Sequence, residues 1–303
     1  MLFHKTRLAP TPSGFLHIGN VISFFITASL AKKHGAKVLL RIDDLDQQRI
    51  RNEYIQDIFD TIDFLEIPFD EGPRNLSEFR QEYSQIHRLP SYQLIIEELT
   101  EKKLVFACDC SRKTLLKNHP KRWYTGTCLH RNLAPDKNQT ALRLNSDESK
   151  EMHMRLYTKG LSACRLTESM KYFMVRKKDG FPSYQLASLA DDINFGVDLI
   201  VRGMDLLPSS IAQVYLSHQL KNHSFSGNTF YHHQLFKTQG EKLSKSKGSY
   251  SIHQMRKTGM QKEAVYILAG KHLALERPVN NFDEFSLEFS RKLDSEINHQ
   301  SPE

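Results

Sequence analysis

Apolar and polar positions change period four times within the first seventy residues. KTRLAP (5–10) is short and apolar-ended, the pattern of a strand. VISFFITASLAKKHG (21–35) spaces its apolar residues for an amphipathic helix and stops at Gly35. AKVLLRIDD (36–44) is a continuous apolar run ending in carboxylates, which predicts a buried strand. EYIQDIFDTIDFLEI (53–67) returns to three- and four-residue spacing and predicts a second helix. Strand–helix–strand–helix implies an α/β fold with a parallel sheet and right-handed crossovers. Ligands of such sheets gather at the carboxyl ends of strands, where Asp43, Asp44 and Asp46 fall.

Residues 71–100 read as helical. Residues 105–170 change character, with three cysteines, polar stretches and a weak strand at TALRLN (140–145). The α/β pattern then resumes. YFMVRKKDG (172–180) and VDLIVRG (197–203) read as strands, and SSIAQVYLSHQL (209–220) as a helix capped by serine. The tail is helical and ends polar. This divides the chain into residues 1–104 and 171–250 as two halves of one domain, residues 105–170 as an insertion, and residues 251–303 as a short helical tail.

LAPTPSGFLHIGN (8–20) joins the first strand to the first helix. Proline fixes φ and glycine permits positive φ, so this is a shaped loop. It opens a helix whose free N–H groups and dipole suit phosphate. His17 there is a donor for phosphate oxygens, and Gly19 leaves room for a flat base. Lys242 and Lys245, within GEKLSKSKG (240–248), form a cationic loop suited to a polyphosphate.

Composition narrows the setting. The 303 residues are 39% hydrophobic and 25% charged, with a formal charge of +7 that favours a polyanionic partner. No apolar run approaches the roughly 20 residues of a membrane span, and the N-terminus lacks a signal-peptide core. The expectation is a cytoplasmic protein with no membrane contact. Of four cysteines, Cys108, Cys110 and Cys128 sit close together, which favours a metal over a disulfide. Thiolates suit zinc, and coordination chemistry alone nominates His130 or His119 as the fourth ligand.

APTPSGFLHIGN and GEKLSKSKG together resemble the paired signatures of class I aminoacyl-tRNA synthetases. RLAPTPSGFLHIGN, LLRIDDLD, DEGP, SYQLASLADD, GVDLIVRGMDLL and GEKLSKSKG, in that order from about residue 5 to 250, resemble the glutamyl branch. About 50 residues follow the lysine loop, where a full glutamyl-tRNA synthetase continues into a large anticodon-binding region. With FACDC…YTGTC and VRGMDLL, the chain resembles the glutamyl-Q tRNA(Asp) synthetases. Members of that family activate glutamate and esterify it to queuosine in the anticodon of tRNA(Asp).

The resemblance implies a Rossmann-like parallel sheet with an inserted zinc-binding subdomain, a short helical C-terminal part and no anticodon-binding domain. It implies ATP, with Mg²⁺, held by Pro10, His17, Gly19, Asn20, Lys242, Ser244 and Lys245. His17, Lys242 and Lys245 would act on the phosphates. Glutamate would meet Arg7, Ala9, Ser13, Asp43, Tyr184 and Arg202. There Arg202, helped by Arg7, holds the side-chain carboxylate, Asp43 accepts from the α-ammonium, and Tyr184 adds a hydroxyl. A structural Zn²⁺ would take Cys108, Cys110, Cys128 and, as the unusual fourth ligand, Tyr124. The partner is tRNA(Asp) carrying queuosine, and the enzyme is expected to be a monomer. Arg112, Lys113, Lys121, Arg122 and Arg131 are candidates for tRNA phosphates. Trp123 either stacks on a base or packs beside the zinc site.

Three positions depart from the family pattern: Asp43 replaces Glu, Asn20 replaces His and Leu243 replaces Met. Other readings stay open at this stage. One is a shortened synthetase that charges a tRNA 3′ end. Another is a non-catalytic tRNA-binding derivative, and a third is a nucleotidyltransferase acting on a small carboxylate.

Overall fold

The computed structural model describes residues 2–111, 113–115, 123–135, 139–236 and 251–300. Strand β1 (Lys5–Leu8) leads through the shaped loop into α1 (Ile18–His34). Gly35 ends this helix in the left-handed region at φ 66°, and its N–H returns to Ala31 and Lys32 carbonyls. Then come β2 (Lys37–Leu40) and α2 (Asn52–Phe64).

Segment 71–100, expected to be helical, is broken. A single turn (Leu76–Glu78), a π-turn (Phe79–Tyr83) and a 3₁₀ turn (Gln85–Arg88) precede α3 (Leu89–Glu101). Pro90 lacks an N–H and suits a first helical turn, so the regular helix starts beside it.

Further along are β3 (Val105–Cys108), β4 (Ala141–Leu144), β5 (Met152–Leu156), β6 (Gly160–Cys164) and β7 (Met174–Arg176). Helix α4 (Tyr184–Asn194), β8 (Leu199–Gly203), α5 (Leu207–Ser217) and β9 (Thr229–His233) follow. The chain closes with α6 (Ile252–Lys257), α7 (Lys262–His272) and α8 (Phe282–Gln300). Helix α5 begins two residues before the expected serine cap. Pro208 occupies its first turn, and Ser209 and Ser210 are buried inside it.

The chain forms two compact units. The first comprises Met1–Gln85, Asp198–Met204 and Tyr231–Glu303. In it β1 and β2 pair in parallel, from Lys5 opposite Lys37 to Leu8 opposite Leu40. Strand β8 enters beside β1, where the Asp198 N–H donates to the Lys5 carbonyl at 3.0 Å. The Asp198 carboxylate accepts from the N–H groups of His4 and Lys5. Helix α1 is less amphipathic than its spacing predicts, because every residue from Phe24 to Ala31 is buried. Phe25 stacks on Tyr266 of α7 at 4.3 Å and meets Phe285 of α8 at 5.1 Å, so the helix is wrapped by the tail helices.

The second unit comprises Ile86–Val197 and Asp205–Phe230. It holds an antiparallel sheet in the order β3–β4–β7 and the antiparallel β5–β6 hairpin. The first two residues of β9 pair in parallel with β5. Helices α3 and α4 are tied by a buried carboxylate. Asp191 accepts from Arg88 at 2.7 and 3.0 Å and from the Tyr92 hydroxyl at 2.7 Å. Among the described residues, no helix is long and apolar enough to cross a membrane.

Candidate active site

The shaped loop is held at both of its first turns by the chain that leaves β2. The Arg41 N–H donates to the Leu8 carbonyl and the Asp43 N–H to the Pro10 carbonyl, at 2.8 and 2.9 Å. The loop therefore continues alongside the chain that leaves β2. His17 is the N-cap of α1. Its Nδ1 accepts from the Gly19 N–H at 3.1 Å, and the Asn20 side-chain oxygen accepts from the His17 N–H at 3.0 Å. Nδ1 is thus an acceptor, which puts the proton of the neutral ring on Nε2. Burial lowers the His17 pKa and favours that neutral form. What results is one N–H donor at a helix start whose Gly19, Asn20 and Val21 amides already have acceptors on His17. Gly19 has a local reason to be glycine, since an added Cβ would lie 3.1 Å from the His17 ring.

Arginines collect at the ends of the neighbouring strands. Arg7 on β1 and Arg202 on β8 are both buried, and an Arg7 Nη1 donates to the Val201 carbonyl at 3.3 Å. Just past β2, Arg41 clasps both oxygens of Asp43 at 2.7 and 3.1 Å. That pair is internally neutral. The next carboxylate, Asp44, turns into the structure and accepts from the Ser84 hydroxyl and the Gln85 N–H. On β9, the pKa of His232 is pushed down to about 4 by burial, with contributions from Arg202, His233 and Arg7. Arg202 and Arg7 thus place positive charge beside the His232 ring.

The cysteines of the second unit come together. The Sγ atoms of Cys108, Cys110 and Cys128 lie within 4.8 Å of one another, and those of Cys110 and Cys128 are 3.5 Å apart. Zinc–sulfur bonds of about 2.3 Å in a tetrahedron put sulfurs about 3.8 Å apart, so the donor set fits zinc. The Tyr124 hydroxyl accepts from the Cys128 N–H at 2.7 Å. The Arg143 guanidinium covers the Tyr124 ring at 3.8 Å.

Burial raises the Cys108 thiol pKa, but a hydrogen bond from Arg143 and its charge outweigh that and leave it lowered. Burial and the two neighbouring thiols push Cys110 up to about 12. Tyr124 is also raised, chiefly by burial, with Cys128 and Cys108 both within hydrogen-bonding reach of its hydroxyl. Among the described His, Cys, Asp and Glu residues, these three thiols form the group close enough to share a metal. Exposed His130 does not join them.

A family model described as tRNA synthetases class I (E and Q), catalytic domain, matches residues 4–273. The chain belongs to this class I synthetase family. It is 32% identical over 273 residues to the glutamyl-Q tRNA(Asp) synthetase of Verminephrobacter eiseniae, covering 86% of this chain and 88% of that protein. It is 28% identical over 270 residues to glutamate–tRNA ligase 1 of Alkalilimnicola ehrlichii, covering 86% and 55%. The chain thus spans about half the length of the glutamate–tRNA ligases it matches. A crystal structure of glutamate-tRNA synthetase from Elizabethkingia anophelis superposes with a TM-score of 0.74, at 20% identity, over 94% of this chain and 65% of that one. That likeness establishes the class I synthetase fold.

Of the residues nominated from sequence for this class I synthetase, Arg7, Ala9, Pro10, Ser13, His17, Gly19, Asn20, Asp43 and Arg202 belong to the first unit. Tyr184 is the first residue of α4 in the second unit and is exposed. Lys242, Ser244 and Lys245 lie outside the described residues, as do Arg112, Lys121, Arg122 and His119. Lys113 is exposed and Trp123 half-buried. Arg131 holds Asp109 with both nitrogens, at 2.6 and 2.9 Å, and donates to Cys128 Sγ at 3.4 Å. That makes it a brace of the thiol loop.

Sequence reasoning missed Arg41, Arg143 and His232. Arg41 and Arg143 carried a usable signal, for each interrupts an apolar run of the sequence and a buried charge demands a partner.

Proposed function

We propose that this chain activates L-glutamate with Mg²⁺·ATP and transfers the glutamyl group to queuosine in the anticodon of tRNA(Asp). The observation that carries the reading is the buried Arg7 and Arg202 pair at the strand ends of the unit that also holds the His17 cap. Arg202 and Arg7 bind the side-chain carboxylate of glutamate. Asp43, oriented by Arg41, receives the α-ammonium, with Ala9 and Ser13 of the loop beside it. Tyr184 contributes its hydroxyl.

The α-carboxylate oxygen attacks the α-phosphorus of ATP, the P–O bond to the β-phosphate breaks, and pyrophosphate leaves. His17 Nε2–H donates to a phosphate oxygen, and Pro10, Gly19 and Asn20 line the nucleotide. Asn20 uses its carbonyl oxygen in the cap, so its NH₂ is the group that faces ligand. Lys242, Ser244 and Lys245 neutralise charge developing on the phosphates. A queuosine hydroxyl then attacks the mixed anhydride carbonyl. An ester forms, AMP departs and the hydroxyl proton is released. Positioning and electrostatics supply the acceleration, with no protein nucleophile.

Cys108, Cys110, Cys128 and Tyr124 would hold Zn²⁺, which when bound fixes the fold of the thiol loop. Residues 105–170 act as the inserted subdomain and 251–303 as the helical tail. We assign the protein to the cytoplasm, as a monomer. The similarity to the V. eiseniae protein, over most of both chains, supports the queuosine branch. The matches to glutamate–tRNA ligases support a second reading, charging of a tRNA 3′ end.

The deciding experiment measures labelled glutamate incorporation into two tRNA pools, one with queuosine and one without. Labelling of tRNA(Asp) in the queuosine pool alone is the expected result. Equal labelling of tRNA(Glu) in both pools establishes 3′-end charging instead. Absence of adenylate with any amino acid revives the non-catalytic reading.

A further inference from the structure

Asp57 is a buried carboxylate on α2 that the proposed chemistry does not use. Its Oδ2 accepts from the Leu16 N–H at 3.1 Å, one residue before His17. Its Oδ1 accepts from Arg256 Nη2 and lies 3.3 Å from His253 Nδ1, both on α6. Arg256 also reaches Asp60, one turn further along α2, at 3.2 Å.

The same two elements meet a second time through the backbone. The Leu16 carbonyl accepts from the Ile252 N–H at 2.8 Å, and His17 pairs with Ser251 as an antiparallel bridge. They meet a third time through rings. Phe15 stacks on His253 at 4.0 Å and 12°, and meets Tyr54 of α2 edge-on at 5.0 Å. Ser251 in turn caps α6, its hydroxyl accepting from the Gln254 N–H at 3.1 Å. All of these residues belong to the first unit.

We propose that Asp57 is the positioning residue of the ATP end of α1: one buried carboxylate locks the Leu16–His17 backbone to α6, and so sets where His17 Nε2–H points. The inference rests on the ATP-dependent reading above. Several features favour this over a purely structural ion pair. The Leu16 N–H is the main-chain donor just before the N-cap, so its bond fixes the entry of the chain into α1. The His17 ring is held by its own helix, through Gly19 N–H, so moving residue 16 moves the imidazole with the helix start. A displacement of about 1 Å at a group that binds a reacting phosphate costs on the order of 10²-fold. The arginines proposed to bind glutamate, Arg7 and Arg202, sit on β1 and β8 and share no hydrogen bond with Asp57 among those described.

The test compares the full-length wild type with Asp57→Asn and Asp57→Ala. The readouts are glutamate-dependent ATP–pyrophosphate exchange, ATP binding by calorimetry and melting temperature. Asp57→Asn keeps an oxygen for the Leu16 N–H and loses the charge that holds Arg256. It should raise the KM and Kd for ATP several-fold, and Asp57→Ala at least tenfold. Glutamate KM should stay within about twofold in both.

Equal rises in the two KM values would mean general loosening and would overturn the inference. So would unchanged ATP parameters in a folded Asp57→Asn protein, which keeps the test decisive even if the alanine variant does not fold. If the wild type binds ATP but shows no exchange with glutamate, the functional reading fails and the ATP Kd series alone decides the inference. If the wild type binds no ATP, both fall.

Discussion

Gly72, within the DEGP stretch, offers the sharpest physical test of this architecture. It follows Glu71, whose carbonyl accepts from the Leu40 N–H at 2.8 Å and which bridges Leu39 at the end of β2. Its φ is 107°, and a Cβ built there would stand 2.2 Å from the Leu40 carbonyl oxygen. Ordinary carbon–oxygen contact needs about an ångström more, and the obstacle is backbone, so no rotamer change relieves it. Gly72→Ala therefore incurs two costs. Holding a non-glycine residue at that φ costs about 1–3 kcal/mol. Forcing packed backbone apart costs a further 1–3 kcal/mol or so.

The restricted unfolded chain returns about 0.4–1 kcal/mol, which leaves a net loss of roughly 1–5.6 kcal/mol. With a urea slope of about 3 kcal/mol/M, the midpoint of unfolding should fall by roughly 0.3–1.9 M. The displaced Leu40 carbonyl lies one residue before Arg41, so the Arg41–Asp43 clasp should shift with it. Glutamate KM should then rise in whatever fraction stays folded at low urea. A midpoint within about 0.2 M of wild type would refute the reasoning, because it would mean that strand and loop part without cost.

Three further outcomes follow from the site. Under the proposed function, Arg202→Gln removes the charged fork assigned to the substrate carboxylate, worth about 2–4 kcal/mol. Glutamate KM should rise roughly 30- to 1000-fold while ATP KM stays within a few-fold; parallel rises would place Arg202 elsewhere. The folded pKa of His232 is about 4, against an ordinary value of 6.5. The unfolded chain therefore binds more protons between those values. Stability should climb with pH across that window, by about 3 kcal/mol in all, and be lost again on acidification. His232→Gln should flatten that slope in urea titrations; identical slopes would contradict the burial of a neutral ring. Finally, purified protein should carry about one zinc per chain by elemental analysis, and Cys128→Ser should lose it. Tyr124→Phe should release zinc to a chelator faster than wild type, and equal retention would remove Tyr124 from the ligand set.

Elements bounded by strong local chemistry were legible in the sequence. Gly35 closes α1 where the left-handed cap demands it, and the apolar run after residue 36 is a buried strand in parallel pairing with the first. Misreadings arose where two local signals compete. At the start of α5, serines suggested a cap. Pro208, whose φ is already helical, carried the helix over them instead. In 71–88, a five-residue stretch cannot separate periods of 3.0, 3.6 and 4.4 residues by spacing alone. There the π- and 3₁₀ turns imitate a continuous helix.

The site shows the same division more sharply. His17 and Asn20 were legible as polar groups at a helix start. Their reciprocal capping was not, because it is a property of N-cap and N3 geometry rather than of either side chain. Asp43 was legible as a carboxylate at a strand end, yet its clasp by Arg41 depends on the backbone turning just past β2. His232 is the extreme case. Nothing in FYHHQ separates it from His233, and its depressed pKa comes chiefly from burial, with Arg202, His233 and Arg7 adding to it. A residue whose burial, and whose charged neighbours about 30 and 225 positions away, set its chemistry becomes visible only once the sheet order is known. Strand-end arginines carry a weak sequence signal for a related reason. Burial makes each one costly alone, so its meaning lies in the partners that other strands bring to it, as the Val201 carbonyl does for Arg7.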